Sequence, residues 1–266
     1  MSEQGYYRFA TIHKDTIVFS CEDDLWSVPV SGGTARRLTA AHGECSLPRL
    51  SPDGNYVAYV GRDEGHPEIF VIPSEGGLPR RLTYFGGDQC YTAGWSHDSK
   101  EVYFISDAQS AFMRHTEAFA IALDGGVPRP LDLGHLLTLS ISPRGGTVLG
   151  RNSIDPARWK RYLGGTAGEI WIDPSGKNNF KRFTNIKGNL VCPMWMSVND
   201  RVYFLSDHEG VGNIYSATPA GKDLTRHTDH RDYYIRFPST DGQRIVYTSA
   251  GDIYLLDAKT NKSSKI

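Results

Sequence analysis

Apolar positions along the chain fall in short runs of about five residues, separated by clusters of Gly, Pro, Ser, Asn and Asp. No stretch of helical length repeats its apolar residues at a helical period. Tyr56-Val57-Ala58-Tyr59-Val60, Val102-Tyr103-Phe104-Ile105 and Val202-Tyr203-Phe204-Leu205 are β-branched and aromatic almost throughout. That is the make-up of strands packed on both faces of a pleated sheet. The pattern predicts an all-β chain.

The runs recur as a unit of about 44 residues, within the range of propeller blades. The clearest copy reads Pro48-Arg49-Leu50, the turn Ser51-Pro52-Asp53-Gly54, Tyr56–Val60, Glu68-Ile69-Phe70-Val71-Ile72, a Gly76-Gly77 turn, and Arg80-Arg81-Leu82-Thr83. This describes four short strands with turns between them. The turn returns as Ser96-His97-Asp98-Ser99, Ser142-Pro143-Arg144-Gly145, Val198-Asn199-Asp200 and Ser239-Thr240-Asp241-Gly242. The closing string returns as Arg37-Leu38-Thr39, Arg182-Phe183-Thr184 and Arg226-His227-Thr228, with a degenerate Pro130-Leu131. Its polarity suits an outer rim.

Six copies predict a six-bladed β-propeller of four antiparallel strands per blade, one domain over 1–266, with blades near 6–39, 45–83, 90–131, 136–184, 189–228 and 233–266. An inner strand is already present at Tyr7-Arg8-Phe9-Ala10 and an outer one at Ser263-Ser264-Lys265-Ile266. No strand is left to swap, so the ring is expected to close without strand exchange.

Composition narrows the function. With 29 basic and 30 acidic side chains the formal charge is -1, which gives no field favouring nucleic acid or anionic lipid. Met1-Ser2-Glu3-Gln4-Gly5 lacks the basic and apolar segments of an export signal, and no run is long enough to span a membrane, so the expected location is cytoplasmic. The four cysteines, Cys21, Cys45, Cys90 and Cys192, lie far apart without paired spacing and are expected to be free thiols.

Candidate chemistry is sparse. Gly94-Trp95-Ser96-His97-Asp98 lacks the second glycine of a nucleophile elbow and sits in a blade turn. His208 beside Asp207 and Glu209, and His227 with His230 and Asp232, fall in turns without metal-ligand spacing and read as loop polarity. Glu22-Asp23-Asp24 reads as a soluble hairpin tip, with cation or peptide-terminus binding as the sharper alternative. No catalytic residue, metal or cofactor is expected. Arg49, Trp95, Trp195 and Arg236 lie on inner strands and are candidates for facing a peptide channel; equally, the two Trp fit an inter-blade core and the two Arg a surface. The fourth copy is lengthened between its second and third strands, making Arg151, Trp159, Lys160 and Tyr162 loop candidates.

Asp23-Asp24-Leu25-Trp26, the stretch Trp159-Lys160-Arg161-Tyr162-Leu163-Gly164-Gly165-Thr166, and Gly221-Lys222-Asp223-Leu224-Thr225-Arg226-His227-Thr228 followed by Asp232-Tyr233-Tyr234 together resemble the N-terminal propeller of the tricorn proteases. The resemblance covers essentially the whole chain, and the Trp-Lys-x-Tyr-x-Gly-Gly-Thr insertion is its most specific part. It implies a non-catalytic gate, channel or scaffold in a cytoplasmic serine peptidase whose catalytic segments lie outside this sequence. Implied partners are oligopeptides, the remaining domains of the parent peptidase, further copies in a hexamer-type homo-oligomer, and aminopeptidases. The generic Ser-Pro-Asp-Gly and Arg-Leu-Thr strings also fit a TolB-like protein-binding propeller, which would carry an export signal. A free-standing propeller lactonase or lyase would instead place carboxylates or His on several inner strands.

Overall fold

Short β-branched runs punctuated by turn residues produce twenty-four strands and no helix over residues 5–266, the residues described in a computed structural model. Met1–Gln4, part of the segment read as lacking an export signal, lie outside the described residues. The strands form six sheets, each made of four consecutive antiparallel strands. The fold is a six-bladed β-propeller, and among the described residues no sheet takes a strand from elsewhere in the chain, as expected of blades without strand exchange. No described helix is long and apolar enough to cross a membrane.

The blades group into two compact units. The first runs through His135 and includes Gly251–Ile253 and Ile266; the second comprises Leu136–Ala250 and Tyr254–Lys265. In the first, Val18, Leu25, Val57, Tyr59 and Ile72 join blades one and two, while Ile69, Val71, Trp95, Phe104 and Phe119 join blades two and three. In the second, Ile170, Phe183, Trp195 and Phe204 join blades four and five, and Met196, Tyr203, Ile245, Tyr247 and Leu256 join blades five and six. Each large apolar side chain removed from water contributes about 1.5–3 kcal/mol. No disulfide joins the four cysteines, and burial raises the pKa of Cys21, Cys45 and Cys90, that of Cys45 to about 12, which keeps them as thiols.

The recurrent strings have specific duties. In the turn of blade two, the Ser51 hydroxyl donates to Asp53 at 2.5 Å and accepts from the Tyr56 amide at 3.0 Å, and Asp53 accepts from the Asn55 amide at 3.0 Å. Gly54 has φ +81°, and a Cβ there would lie 2.6 Å from His13 Cδ2, so glycine is required twice over. The closing Arg-x-Thr string is a latch onto the start of the third strand. Thr39 donates to Asp24 and Thr228 to Asn213, at 2.6 and 2.8 Å, and Thr83 donates to Glu68. Each of these hydroxyls also accepts a backbone N–H, from Leu25, Ile214 and Ile69, at 2.9 Å. Arg37 and Arg81 pair with the same Asp24 and Glu68. Two-residue outer strands carrying charge, such as Arg36–Arg37 and Arg80–Arg81, leave little edge for unwanted pairing.

The latch corrects one expectation. Glu22 and Asp23 form the hairpin tip, with φ 50° and 67°, but Asp24 is buried and consumed by Thr39, Arg37 and the Ala41 amide rather than dissolved in water.

Five of the six first strands break register against their neighbours. The breaks lie between Arg8 and Thr11, Ser46 and Arg49, Val191 and Met194, and Arg236 and Ser239, and opposite Tyr103 and Phe104 in blade three. Phe9, Leu47, Cys192 and Phe237 take left-handed φ values of 53°, 52°, 52° and 47° at these bulges. Such bulges bend a strand and re-aim its side chains.

Candidate functional site

The longest link between a second and third strand is 152–168 in blade four, joining Thr147–Arg151 to Glu169–Asp173. It is pinned along its length. Cys192 Sγ donates to Ile154 O at 3.1 Å, Pro156 is buried, and the Asp155 carboxylate takes both Nε and Nη2 of Arg236. Asn189 and Asp207, 2% and 1% exposed, complete the anchorage. Asn189 Nδ2 donates to Trp159 O at 2.9 Å and to Asp207 at 3.0 Å, and Asp207 accepts the Arg161 amide at 2.6 Å. A buried carboxylate supplied with such donors is satisfied, so the backbone near Trp159 and Arg161 is set by a polar network of blade five.

From this platform the side chains project. Trp159 meets Tyr162 edge to face at 5.5 Å, and Lys160 Nζ stands 5.5 Å from the Tyr234 ring. Thr166 donates to Tyr162 OH at 3.3 Å, and a Cβ on Gly164 would lie 2.1 Å from that oxygen, so a side chain there would have to displace the Tyr162 hydroxyl. Arg151, at the end of the second strand, places its guanidinium 5.0 Å over the Trp171 ring.

The inner-strand candidates divide between the units. In the first, Arg49 is half-buried and its Nη1 donates to Pro48 O at 3.0 Å, while Trp95 Nε1 donates to Arg49 O at 2.9 Å. In the second, Trp195 Nε1 donates to Asp200 at 2.8 Å and its amide to Ser140 Oγ at 3.0 Å. Both indoles are packed in inter-blade cores, the alternative held open for them. Arg236 and the insertion, unconnected in the sequence reading, are brought together through Asp155.

The polar turns resolve into structure rather than chemistry. Ser96 donates to Asp98 at 2.7 Å and accepts from the Lys100 and Glu101 amides at 3.1 and 2.9 Å, as a turn-former does. Ser206, His208 and Glu209 assemble a serine-histidine-acid string that sequence reading missed, with Ser206 Oγ 2.9 Å from His208 Nδ1. Ser206 is 0% exposed, and Glu209 is engaged by Tyr215 OH at 2.8 Å and by Arg226, so no substrate carbonyl could reach the hydroxyl. His227 stacks on Tyr203 at 4.6 Å and bonds Asn261 and Ser216 at 2.6 and 2.8 Å, while His230 Nε2 lies 3.2 Å from Tyr247 OH. Burial lowers the pKa of His208, His227 and His230. Among the described residues no three His, Cys, Asp or Glu converge as for a metal ion.

Comparison with known proteins places this geometry. A family model for the tricorn protease N-terminal β-propeller domain matches residues 4–262. Tricorn protease homolog 1 of Streptomyces coelicolor is 40% identical over 254 residues, covering 95% of this chain and 24% of that protein. The tricorn protease homolog of Saccharolobus solfataricus is 39% identical over 269 residues, covering 99% of this chain and 24% of that protein. The crystal structure of the tricorn protease matches with a TM-score of 0.90 at 32% identity, covering 99% of this chain and 26% of that one. The chain therefore spans about a quarter of the length of these relatives. It belongs to the tricorn protease N-terminal β-propeller family.

Proposed function

We propose that this propeller performs no chemistry of its own and serves as a gate, channel or scaffold for oligopeptides within a tricorn-like serine peptidase. The observation that carries this reading is the correspondence of nearly the whole chain with about one quarter of proteins named tricorn protease or its homologues, which leaves the larger part of such a protein to hold the peptidase centre. The parent would be a cytoplasmic hexamer-type assembly that handles oligopeptides and passes products to aminopeptidases. Arg49 and Arg236 are the channel-facing charges in this reading. Trp95 steadies the first through the Arg49 carbonyl, and Asp155 steadies the second, which couples Arg236 to the insertion carrying Arg151, Trp159, Lys160 and Tyr162.

The test is made in a full-length tricorn relative carrying this propeller. Arg49→Glu should change the length and charge preference for long peptides by several-fold while leaving a minimal fluorogenic reporter unaffected. Equal slowing of long and minimal substrates would remove the support for gating.

A further inference from the structure

We propose that the exposed limb of the blade-four insertion, residues 158–166, is a docking surface for acidic peptide segments that also carry an aliphatic side chain. The first ground is uncompensated charge. Arg158, Lys160 and Arg161 are all exposed, and none of them forms an ion pair among the described residues. By contrast Arg36, Arg37, Arg81, Arg129, Arg182 and Arg226 of the outer strands each face a carboxylate, and Arg80 beside them donates to the Leu123 carbonyl. In a chain of formal charge -1, three cations within four positions that no carboxylate pairs, with Lys160 standing over the Tyr234 ring, concentrate positive charge on one loop.

The second ground is apolar surface interleaved with that charge. Trp159 and Leu163 are 62% and 70% exposed. Trp, Tyr and Arg are the side chains that most often dominate binding energy when a partner covers them. An ordinary solubilising loop would carry the cations without the indole and the leucine.

The third ground is preorganisation. The Trp159 carbonyl and the Arg161 amide are held by Asn189 and Asp207, and the approach to them is held by the Asp155–Arg236 pair. Little backbone order remains to be lost on binding, so modest contacts translate into affinity. Carboxylates meet the cations, and an aliphatic side chain meets Trp159 and Leu163. Cations interleaved with aromatic rings also suit single-stranded nucleic acid, but that mode needs a basic groove that tracks a backbone, which a chain of this charge does not supply.

The inference deepens the peptide-passage reading and rests on it for the class of ligand alone. Binding is measured on the 266-residue chain without any peptidase, so failure here leaves the passage reading standing. A short fluorescein-labelled peptide of alternating Glu and Leu is titrated, beside the same peptide with Lys for Glu and an oligothymidylate of equal length. The expected result is saturable binding of the acidic peptide, weakening as salt is raised, with no saturable binding of the basic one. Trp159→Ala should weaken it roughly tenfold, and Arg158→Glu with Lys160→Glu and Arg161→Glu by at least about that factor. Absence of saturable binding, equal binding of both peptides, preference for the oligonucleotide, or unchanged affinity in variants with unaltered Tm would each overturn the proposal.

Discussion

The Thr39 hydroxyl donates to the Asp24 carboxylate at 2.6 Å and accepts the Leu25 amide at 2.9 Å, fastening the last strand of blade one to the start of its third. Glu68 with Thr83, and Asn213 with Thr228, repeat the arrangement in blades two and five. A string that reads as rim polarity is thus the means by which each of these blades closes.

Thr83→Val keeps the shape and removes the hydroxyl. Glu68 loses a donor and the Ile69 amide its acceptor, both in buried surroundings. The expected cost is about 1–3 kcal/mol in urea unfolding. Leu78→Ala, at a site 92% exposed, should change stability by less than about 0.5 kcal/mol. Equal effects of the two would refute the latch.

Gly54→Ala must force a Cβ to 2.6 Å from His13 Cδ2 at φ +81°. Gly65→Ala faces a similar φ of +101° with nothing within 4 Å. Both should lose about 1 kcal/mol to backbone strain, and Gly54→Ala should lose measurably more. Thermal unfolding of the pair separates steric overlap from strain.

Acid should loosen the second unit before carboxylates titrate. Burial lowers the folded pKa values of His227 and His230, so the unfolded chain binds protons first as pH falls. Their contribution to stability is complete above the unfolded value of about 6.5 and is lost as pH drops from there toward the lower folded values. Tm should therefore fall between about pH 7 and 5, and His227→Gln should flatten the slope. A Tm independent of pH across that window would contradict the placement of these rings.

Asp155→Ala releases Arg236 and one anchor of the insertion. Loss of charge-assisted bonds worth about 1.5–3 kcal/mol should raise local opening roughly tenfold or more. Trypsin cleavage after Arg158, Lys160 or Arg161 reports it. An unchanged cleavage rate would show that the Asn189–Asp207 network alone holds the loop.

The blades were legible because four strands and their turn residues recur, and each turn has a local hydrogen-bonding reason for its Ser, Asp and Gly, as at Ser51, Asp53 and Gly54. The length and position of the blade-four insertion were legible for the same reason, since it interrupts a repeat. Side-chain direction on the first strands was not. A bulge between Ser46 and Arg49, or between Arg236 and Ser239, shifts the two-residue alternation from which facing is read. The Asp155–Arg236 pair was equally hidden, because 81 residues separate its members and neither lies in a recurrent string. Asp24 was misread because its neighbours Glu22 and Asp23 do form the tip, while the partner that buries it lies 15 residues away at Thr39.

The most direct test of the central claim is turnover of a fluorogenic peptide panel by this chain alone and by a full-length tricorn protease relative in which this chain replaces the native propeller. The account predicts hydrolysis by the chimera and none by the isolated chain. Sustained turnover by the isolated chain, retained when contaminating peptidases are inhibited, would mean that the propeller holds a catalytic site and would contradict the account.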